Sequence, residues 1–549
     1  MSDHADLDHT ITGRMSRKTL LKLGAAAALT PVLSGLPLPA EAGGPAVPSF
    51  ELDEMTIAQL QTMMQHGQMS ARELVTAYLT RGTQIDKAGP MINAIIETNP
   101  DALAIADALD RERSSGRVRG PLHGIPVVVK DNIGTADQMQ TAAGSLALVG
   151  HPAPYDAFVA HRLRQAGAII LGKANLSEWA NFRSTRATSG WSGRGGQTHN
   201  PYVLDRNPSG SSSGSAAAVS ANLAAGSLGS ETDGSIVSPS SINGVVGIKP
   251  TLGLTSRAGV VPLSHSQDVV GPICRTVGDA AAMLSAIAGF DPHDPVTRGS
   301  AGHPRDYTRF LNPNGLRGAR LGIPRKFGFG NSGKEDLIIT RAIRELRRLG
   351  ATVIDHLDFP GSTALVSGAD EFTVLLYDFK HDINRYLARR GNTVNVHSLK
   401  GLIRFNHEHH AEELRYFNQD IFLMAEAKGP LTAAAYRTAL ANDLRNSRQQ
   451  GIDLVMGQHN LDALIVPTNA PAWPTDLVDG DHFLDGSSTP AAVAGYPAIT
   501  VPAGYIFELP IGITFFGRAY SEPTLIKIAS GFEFQTRVRH APRFIPHIP

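Results

Sequence analysis

This 549-residue sequence has almost no cysteine and no excess of charge of either sign. Its single cysteine, Cys274, excludes a disulfide bond within the chain. The 50 basic and 50 acidic side chains balance to a formal net charge of zero, which offers no electrostatic attraction to nucleic acid or to an anionic membrane. Internal repeats and interdomain linkers are also lacking. With 42% hydrophobic residues, the chain is long enough to bury a large core.

An unbroken membrane-spanning run is missing from the N-terminus, although residues 1–42 resemble a targeting segment. Residues 16–22 (SRKTLLK) are similar to a twin-arginine export motif with lysine in the second basic place, and a weakly apolar Ala/Leu run follows. Glycine and proline interrupt this run, which makes it a poor membrane anchor, and Ala40-Glu41-Ala42 suits a signal peptidase. We therefore predict an exported protein, periplasmic or extracellular, that is cleaved near Ala42 and has no stable membrane insertion.

Helix and strand patterns alternate through the remainder of the chain, residues 43–549. Apolar residues at helical spacing predict helices, and short β-branched runs predict buried strands; one such strand ends at Lys130. A more polar, mostly helical region at about 370–449 is predicted to cover one side of a functional site. Other predicted helices lie at 56–79, 101–113, 161–168, 215–223, 335–349 and 523–533, and other strands at 93–96, 169–172, 245–248, 319–324, 352–354, 462–468, 497–502 and 510–516.

The stretch from Asn207 to Pro250 is nearly free of charge and crowded with Ser, Gly and Ala. A flexible linker would fit only its first few residues, because residues 215–223 predict a buried helix and residues 245–248 a short buried strand. The Gly-rich pieces are therefore predicted to be tight connections between packed elements. Such turns can aim several backbone N–H groups at one point, as an oxyanion hole requires.

Several pieces of the chain resemble the signature of the amidase signature family of serine hydrolases, and look most like the bacterial peptide amidases. They are, in order, KANLSEWA (173–180), SGSSSGSAAA (209–218), GSETDGSIV (229–237), GVVGIKPT (244–251) and DVVGPICRT (268–276). The resemblance implies an α/β fold of the amidase signature type, an α/β/α sandwich with a large twisted mixed central sheet covered by helices. It also implies a single amidase domain over residues 43–549, with the core signature at 207–250.

The same resemblance implies a catalytic triad in which Lys130 is the base, Ser211 relays the proton and Ser235 is the nucleophile. Serine is a weak nucleophile that needs a base, and no histidine occurs in the matched segment. A lysine can fill that role only when it is neutral, which burial favours. The family also places a cis peptide bond before the relay serine, here Gly210–Ser211.

Backbone N–H groups from Thr232, Asp233, Gly234 and Ser235 are expected to form the oxyanion hole, and the carbonyl of Ala180 is expected to meet substrate. The chain departs from the family pattern at two positions near the nucleophile. Asp233 replaces a glycine, so that its side chain could narrow the pocket or bind the amide or a nearby backbone group. Val237 replaces an arginine, which weakens the case for a substrate carboxylate close to the scissile bond.

Three other motifs suggest different chemistry, and each fits its own pattern poorly. Gly210 to Gly214 matches the G-x-S-x-G elbow with Ser212 as nucleophile, but no hydrophobic strand precedes it. Gly328 to Gly333 matches G-x-G-x-x-G, but four residues separate it from the preceding strand. His407-Glu-His-His410 lacks the i, i+4 histidine pair of a zinc protease. We therefore expect no metal and no nucleotide cofactor.

These observations predict an enzyme that hydrolyses primary amides, and in particular converts C-terminal peptide amides to peptide acid and ammonia through an acyl-enzyme. A broader amidase for other carboxylic acid amides or esters is one alternative. Another is the glutaminase component of a tRNA amidotransferase, which is cytosolic and works with partner subunits, so the export segment argues against it. A binding protein without chemistry is a third, and the filled triad positions argue against that. The expected partner is a small peptide amide, with no obligatory protein partner.

Overall fold

A mixed sheet of eleven strands forms the centre of the protein in the computed structural model, which describes residue 45 and residues 47–549. The predicted export segment lies outside the described residues. In chain order the strands are β1 (Ile95–Thr98), β2 (Pro126–Lys130), β3 (Ile169–Ala174), β4 (Gly226–Glu231), β5 (Val246–Lys249), β6 (Val269–Cys274), β7 (Arg320–Pro324), β8 (Thr352–Leu357), β9 (Ala463–Pro467), β10 (Ala498–Ile506) and β11 (Leu509–Phe516).

The order of strands across the sheet is β1-β3-β2-β4-β6-β5-β10-β11-β9-β7-β8. β2 lies between β3 and β4 and is parallel to both, whereas β4 pairs with β6 in the antiparallel direction. Because β2 and β4 are parallel neighbours, their carboxyl ends open at the same edge of the sheet. That edge receives Lys130 from one strand and residues 230–235 from the other.

Helices surround the sheet, which confirms the predicted α/β fold with a large mixed sheet and helical cover. The predicted helical region 56–79 is two helices, because Gly67 is left-handed at φ 63° and Ser70 caps a new helix in a capping box with Glu73. In the described part of the chain, the α-helices of six or more residues are Ile57–Gln65, Ala71–Arg81, Ala102–Ser114, Phe158–Gln165, Ser213–Ser220, Val237–Ile242, Val277–Ile287, Gly333–Arg348, Ser362–Ser367, Ala369–Arg390, Leu399–Glu408, Asp420–Glu426, Ala434–Leu444, Asp453–His459, Thr489–Ala494 and Glu522–Thr536.

The small residues between Asn207 and Pro250 allow close packing in a strand and a helix as well as in turns. Gly226 and Gly229 belong to the buried strand β4, so the prediction that every Gly-rich piece is a connection was wrong. A Cβ atom at Gly229 would lie 2.7 Å from the Ser212 hydroxyl oxygen. The helix Ser213–Ser220 is buried along its whole length, and a Cβ at Gly214 would lie 2.5 Å from the backbone nitrogen of Asn175. Glycine is therefore needed where helix and sheet backbones nearly touch.

The predicted helical region at about 370–449 contains the long helix Ala369–Arg390 and four shorter α-helices before a π-helical turn at Arg445–Ile452. Its apolar face joins a second core with the segment that follows β3. For instance, Phe379 packs on Phe182 with ring centroids 5.4 Å apart. In the part of the chain that the structure describes, no helix is long and apolar enough to cross a membrane.

Candidate active site

Lys130 ends strand β2 and its side chain is completely enclosed. Its Nζ atom donates to the Ser211 Oγ atom at 2.7 Å, to the Ser230 Oγ atom at 3.0 Å and to the Ser230 carbonyl oxygen at 3.1 Å. Three oxygen partners satisfy the three donor positions of an ammonium or the two donors and one lone pair of an amine. The structure thus brings together two of the predicted triad residues, which are 81 positions apart in the chain.

Burial lowers the pKa of Lys130 from 10.5 to about 7. The shift arises because a charged ammonium loses its hydration inside the protein, whereas the neutral amine loses little. The nearby carboxylates of Asp268 and Glu231 act in the opposite direction and raise this pKa. At neutral pH a substantial fraction of Lys130 is therefore an unprotonated amine that can accept a proton.

Ser211 follows a cis peptide bond at Gly210–Ser211, as predicted. Its carbonyl oxygen accepts a hydrogen bond from the backbone N–H of Ser177 at 3.1 Å. Gly210 packs directly on that residue, since an added Cβ atom would lie 2.1 Å from the Ser177 hydroxyl oxygen. Packing against the segment after β3 therefore fixes the position of the Ser211 hydroxyl.

Ser235 lies in the turn between β4 and the helix Val237–Ile242 and is 7% exposed. Its carbonyl oxygen accepts a hydrogen bond from the Ser212 backbone N–H at 3.2 Å, which joins this turn to the segment that contains Ser211. The buried Glu231 carboxylate fixes the other side of the turn by accepting from the N–H groups of Ile236 at 2.6 Å and Val237 at 2.9 Å. The role of Glu231 was missed because its partners are backbone N–H groups, which a sequence motif does not show.

The residues expected to form the oxyanion hole make one short turn that lines a cleft of about 600 Å³ together with Ser211. Gly234 has φ 76°, a left-handed conformation that favours glycine. Two side chains tie the turn to its surroundings: Thr232 donates to Asp268 at 2.6 Å, and Asp233 accepts from Thr489 at 2.7 Å. The Asp233 side chain therefore binds the hydroxyl group at the start of the helix Thr489–Ala494, a side-chain partner that was not among the roles expected from the sequence.

Ala180 lines the same cleft from the opposite segment. Trp179, Ala180 and Asn181 have φ values of 52°, 57° and 67°, three successive left-handed residues that are not glycine. Such conformations persist only where the surroundings determine them, and they concentrate at functional sites. A buried ion pair behind this segment supplies that support, since Arg183 donates to Glu178 at 2.6 Å.

Much of the remaining cleft wall comes from a segment to which the sequence assigned no function, residues 468–489. Trp473 and Phe483 pack edge to face with ring centroids 5.3 Å apart, and Asp481 accepts from the Trp473 indole at 3.1 Å. From the predicted substrate-side region, Leu375 is the residue that lines the cleft. The 468–489 segment was missed because it lies far along the chain from the signature and nothing in its composition indicates a site.

The model of the family described as Amidase matches residues 73–526 of the chain. The chain belongs to the amidase family. A probable amidase of Arabidopsis thaliana is 44% identical to it over 505 residues, which cover 90% of this chain and 93% of the relative. The X-ray structure of a native peptide amidase from Stenotrophomonas maltophilia is 48% identical, with a TM-score of 0.85 and coverage of 90% of this chain and 100% of that one.

A third relative, a glutamyl-tRNA(Gln) amidotransferase component of Symbiobacterium thermophilum, is 34% identical over 502 residues, 89% of this chain and 98% of the relative. These similarities establish that the amidase is a hydrolase of amides with the amidase signature fold.

The competing nucleophile, Ser212, is fully enclosed and its hydroxyl donates to the Ser230 carbonyl at 3.1 Å. Ser211 is equally buried, but it is among the residues that line the cleft, and Ser212 is not.

Proposed function

We propose that this amidase hydrolyses the carboxamide at the C-terminus of peptides, releasing ammonia and the peptide acid. The observation that carries the chemistry is the 2.7 Å contact between the enclosed amine of Lys130 and the Ser211 hydroxyl. A lysine with a pKa of about 7 is a base near its operating pH, the condition for efficient general base catalysis. The nucleophile in this proposal is Ser235.

In the acylation step, the Ser235 Oγ atom attacks the carbonyl carbon of the substrate amide. Its proton passes to the Ser211 Oγ atom as the Ser211 proton passes to the Lys130 Nζ atom. The carbonyl oxygen becomes an oxyanion, which the backbone N–H groups of residues 232–235 stabilise. Ser211 then returns a proton to the leaving nitrogen and recovers one from Lys130, so the C–N bond breaks and neutral ammonia departs.

Water completes the cycle by attacking the ester carbon of the acyl-enzyme. The same relay takes the water proton, and the Ser235 oxygen recovers a proton as the peptide acid leaves. Every proton that enters the relay leaves it within one turnover. No step uses a group from outside the protein other than the substrate and water.

The chemistry of the cleft supports a neutral amide at the reacting end of the substrate. Asp233 lies two residues before Ser235, and its charge contributes to raising the pKa of buried Glu371 well above the usual range, after burial itself. The cleft near Ser235 is therefore electronegative, and a substrate carboxylate there would be repelled. Farther out, Trp473, Phe483 and Leu375 offer apolar surface for peptide side chains. The similarity to a peptide amidase points the same way.

The experiment is an assay of ammonia release by the purified amidase on four compounds: a peptide amide, the matching peptide acid, free glutamine and malonamate. The peptide amide should be turned over, the peptide acid should be inert, and the internal peptide bonds should stay intact. Turnover of glutamine or malonamate far above that of the peptide amide would overturn this choice of substrate. Ammonia release from none of the four would contradict the proposal as a whole.

A further inference from the structure

Asp268 lies directly before strand β6. It is partly exposed to a separate surface cavity of about 120 Å³, and it is absent from the residues that line the cleft. Arg257 lines the same surface cavity. A carboxylate in this place can act on the catalytic groups only through the protein, not through the substrate.

Three hydrogen bonds fix the orientation of the Asp268 carboxylate. Its Oδ1 atom accepts from the Thr232 hydroxyl at 2.6 Å, and its Oδ2 atom accepts from the backbone N–H groups of Leu263 at 2.8 Å and Ser264 at 2.9 Å. The loop that supplies these N–H groups is itself anchored to the helix Ala369–Arg390, since His265 Nδ1 lies 2.8 Å from Asp382. The charge of Asp268 is thus held at a fixed point.

A partner of Lys130 shares a small cavity with this carboxylate. The Ser230 hydroxyl accepts from Lys130 at 3.0 Å and from the Asn132 side chain at 2.9 Å. An internal cavity of about 10 Å³ is lined by Ser230, Asn132, Thr232 and Asp268, a volume on the order of one water molecule. Asp268 and Ser230, a partner of Lys130, therefore border the same small cavity, and charges interact far more strongly across such an enclosed space than in bulk water.

We propose that Asp268 is a positioning residue that sets the proton affinity of Lys130 and stabilises the ammonium formed during acylation. The inference rests on the proposed function, in which Lys130 is the base. Asp268 acts through the amine and does not touch the substrate. Thr232 couples this carboxylate to the oxyanion turn, so the same residue supports both the base and the oxyanion hole.

The charged groups around Lys130 fit this assignment. Asp268 is the carboxylate that raises the pKa of Lys130 most, followed by Glu231. Glu231 faces the buried ammonium of Lys249, which lowers the Glu231 pKa against the effect of burial. Asp268 faces Arg257, which is bound to Asp294 at 2.7 Å. Because Arg257 is already paired, it neutralises the Asp268 charge only in part.

The test is the pH dependence of kcat/KM for a peptide amide with Asp268→Asn. Without the negative charge, Lys130 loses its proton at lower pH, so the acid limb should move down by about one pH unit. The plateau should fall about three- to tenfold, because the transient ammonium is less stabilised. Asp291→Asn is the matched control: it removes another buried carboxylate, which accepts from Ser256 at 2.5 Å, and should leave the limb in place.

The outcomes distinguish a failure of this inference from a failure of the proposed function. A wild-type profile with no acid limb near pH 7 contradicts Lys130 as the base. A wild-type limb that stays unmoved in Asp268→Asn overturns the role of Asp268, even if the plateau falls. Should Asp268→Asn fail to fold, Thr232→Val removes only the hydroxyl donor and should move the limb in the same direction by a smaller amount; an unmoved limb in that variant overturns the inference.

Discussion

Lys130 illustrates how position changes the chemistry of one residue. A lysine at the end of a strand ordinarily extends its ammonium to solvent, but here the strand ends inside the protein and the side chain is wholly enclosed. The amine exchanges water for three oxygen partners on Ser211 and Ser230. Keeping this group in the core is unfavourable for folding, because the unfolded chain would protonate it at neutral pH.

Lys130→Met should therefore abolish hydrolysis and increase stability. Between the folded pKa of about 7 and the ordinary value of 10.5, the unfolded state binds a proton that the folded state does not, so wild-type stability rises with pH in this window. At pH 7 the variant should gain up to about 4 kcal/mol, less the hydrogen bonds lost. Thermal unfolding at several pH values measures this; a stability difference that does not shrink towards pH 10.5 would contradict a buried neutral lysine.

At the level of residues, the sequence predicts the reactive side chains of the signature better than it predicts the residues that hold them in place. Lys130 and Ser211 meet as their family motifs require, and the cis bond lies where it was expected. The roles of Ser235 and of the oxyanion turn stay predictions. Glu231 and Asp268 received no role from the sequence. The contact of Asp268 with Thr232 forms only when β4 and β6 are neighbours, and Glu231 binds backbone N–H groups of its own turn.

Among the elements, strand β4 connects the packing of the core to the geometry of the site. Gly229 lets Ser212, at the start of the helix Ser213–Ser220, lie close against the sheet, and Gly226 does the same for Met283 of the helix Val277–Ile287. The end of β4 carries the turn with Ser235. Composition alone predicts the helix and the flanking strand at 245–248, but not β4, because glycine and serine are poor strand formers in isolation. The use of glycine in this strand is explained by tertiary packing, because Ser212 and Met283 leave no room for a larger side chain.

Gly229→Ala should destabilise the amidase by about 1–3 kcal/mol, because the new methyl group would lie 2.7 Å from the Ser212 hydroxyl and 3.0 Å from Ile273. Gly278→Ala is the matched control. Its nearest neighbours would be 3.7 Å away within a helix, so stability should stay the same or rise slightly. Thermal unfolding compares the two; equal midpoints would show that the close packing at β4 is not needed.

The loop that contains Phe483 should determine affinity for peptide side chains. Phe483 lines the cleft and is 46% exposed, whereas Leu484 is 68% exposed and lies outside the lining. Phe483→Ala should raise KM for a peptide amide about tenfold and change kcat little, while Leu484→Ala should change neither. Steady-state kinetics on both variants measures this. Equal KM values for the two variants would remove the loop from substrate binding.

On the scale of the whole molecule, one continuous sheet supports the proposed site, because Lys130 ends β2 and the turn with Ser235 follows β4. Strand–helix patterns predict its class, yet the order of eleven strands follows from pairings between residues hundreds of positions apart, such as β5 with β10. Similarity to known amidases supplies the order of the strands, because members of one family share strand pairings that local sequence patterns do not show. An export role for the region before residue 43 stays a prediction from its sequence.

We propose that the amidase is exported and that the mature chain begins near Gly43. N-terminal sequencing of active protein purified from its source should find that residue or a close neighbour, in a fraction from outside the cytoplasm. A variant that begins at Gly43 should keep full activity, because no residue of the proposed site precedes Lys130. An active native protein that retains Met1 would contradict cleavage.

The most direct test of the proposed chemistry is to locate the acyl or phosphonyl group on the enzyme. The amidase would be treated with a serine-directed phosphonylating reagent, digested and mapped by mass spectrometry, with Ser235→Ala, Ser211→Ala and Ser212→Ala in parallel. The account predicts modification of Ser235 in the wild-type and Ser212→Ala proteins, none in Ser235→Ala, and slower modification at the same residue in Ser211→Ala. Modification of Ser212, or normal turnover by Ser235→Ala, would contradict the account.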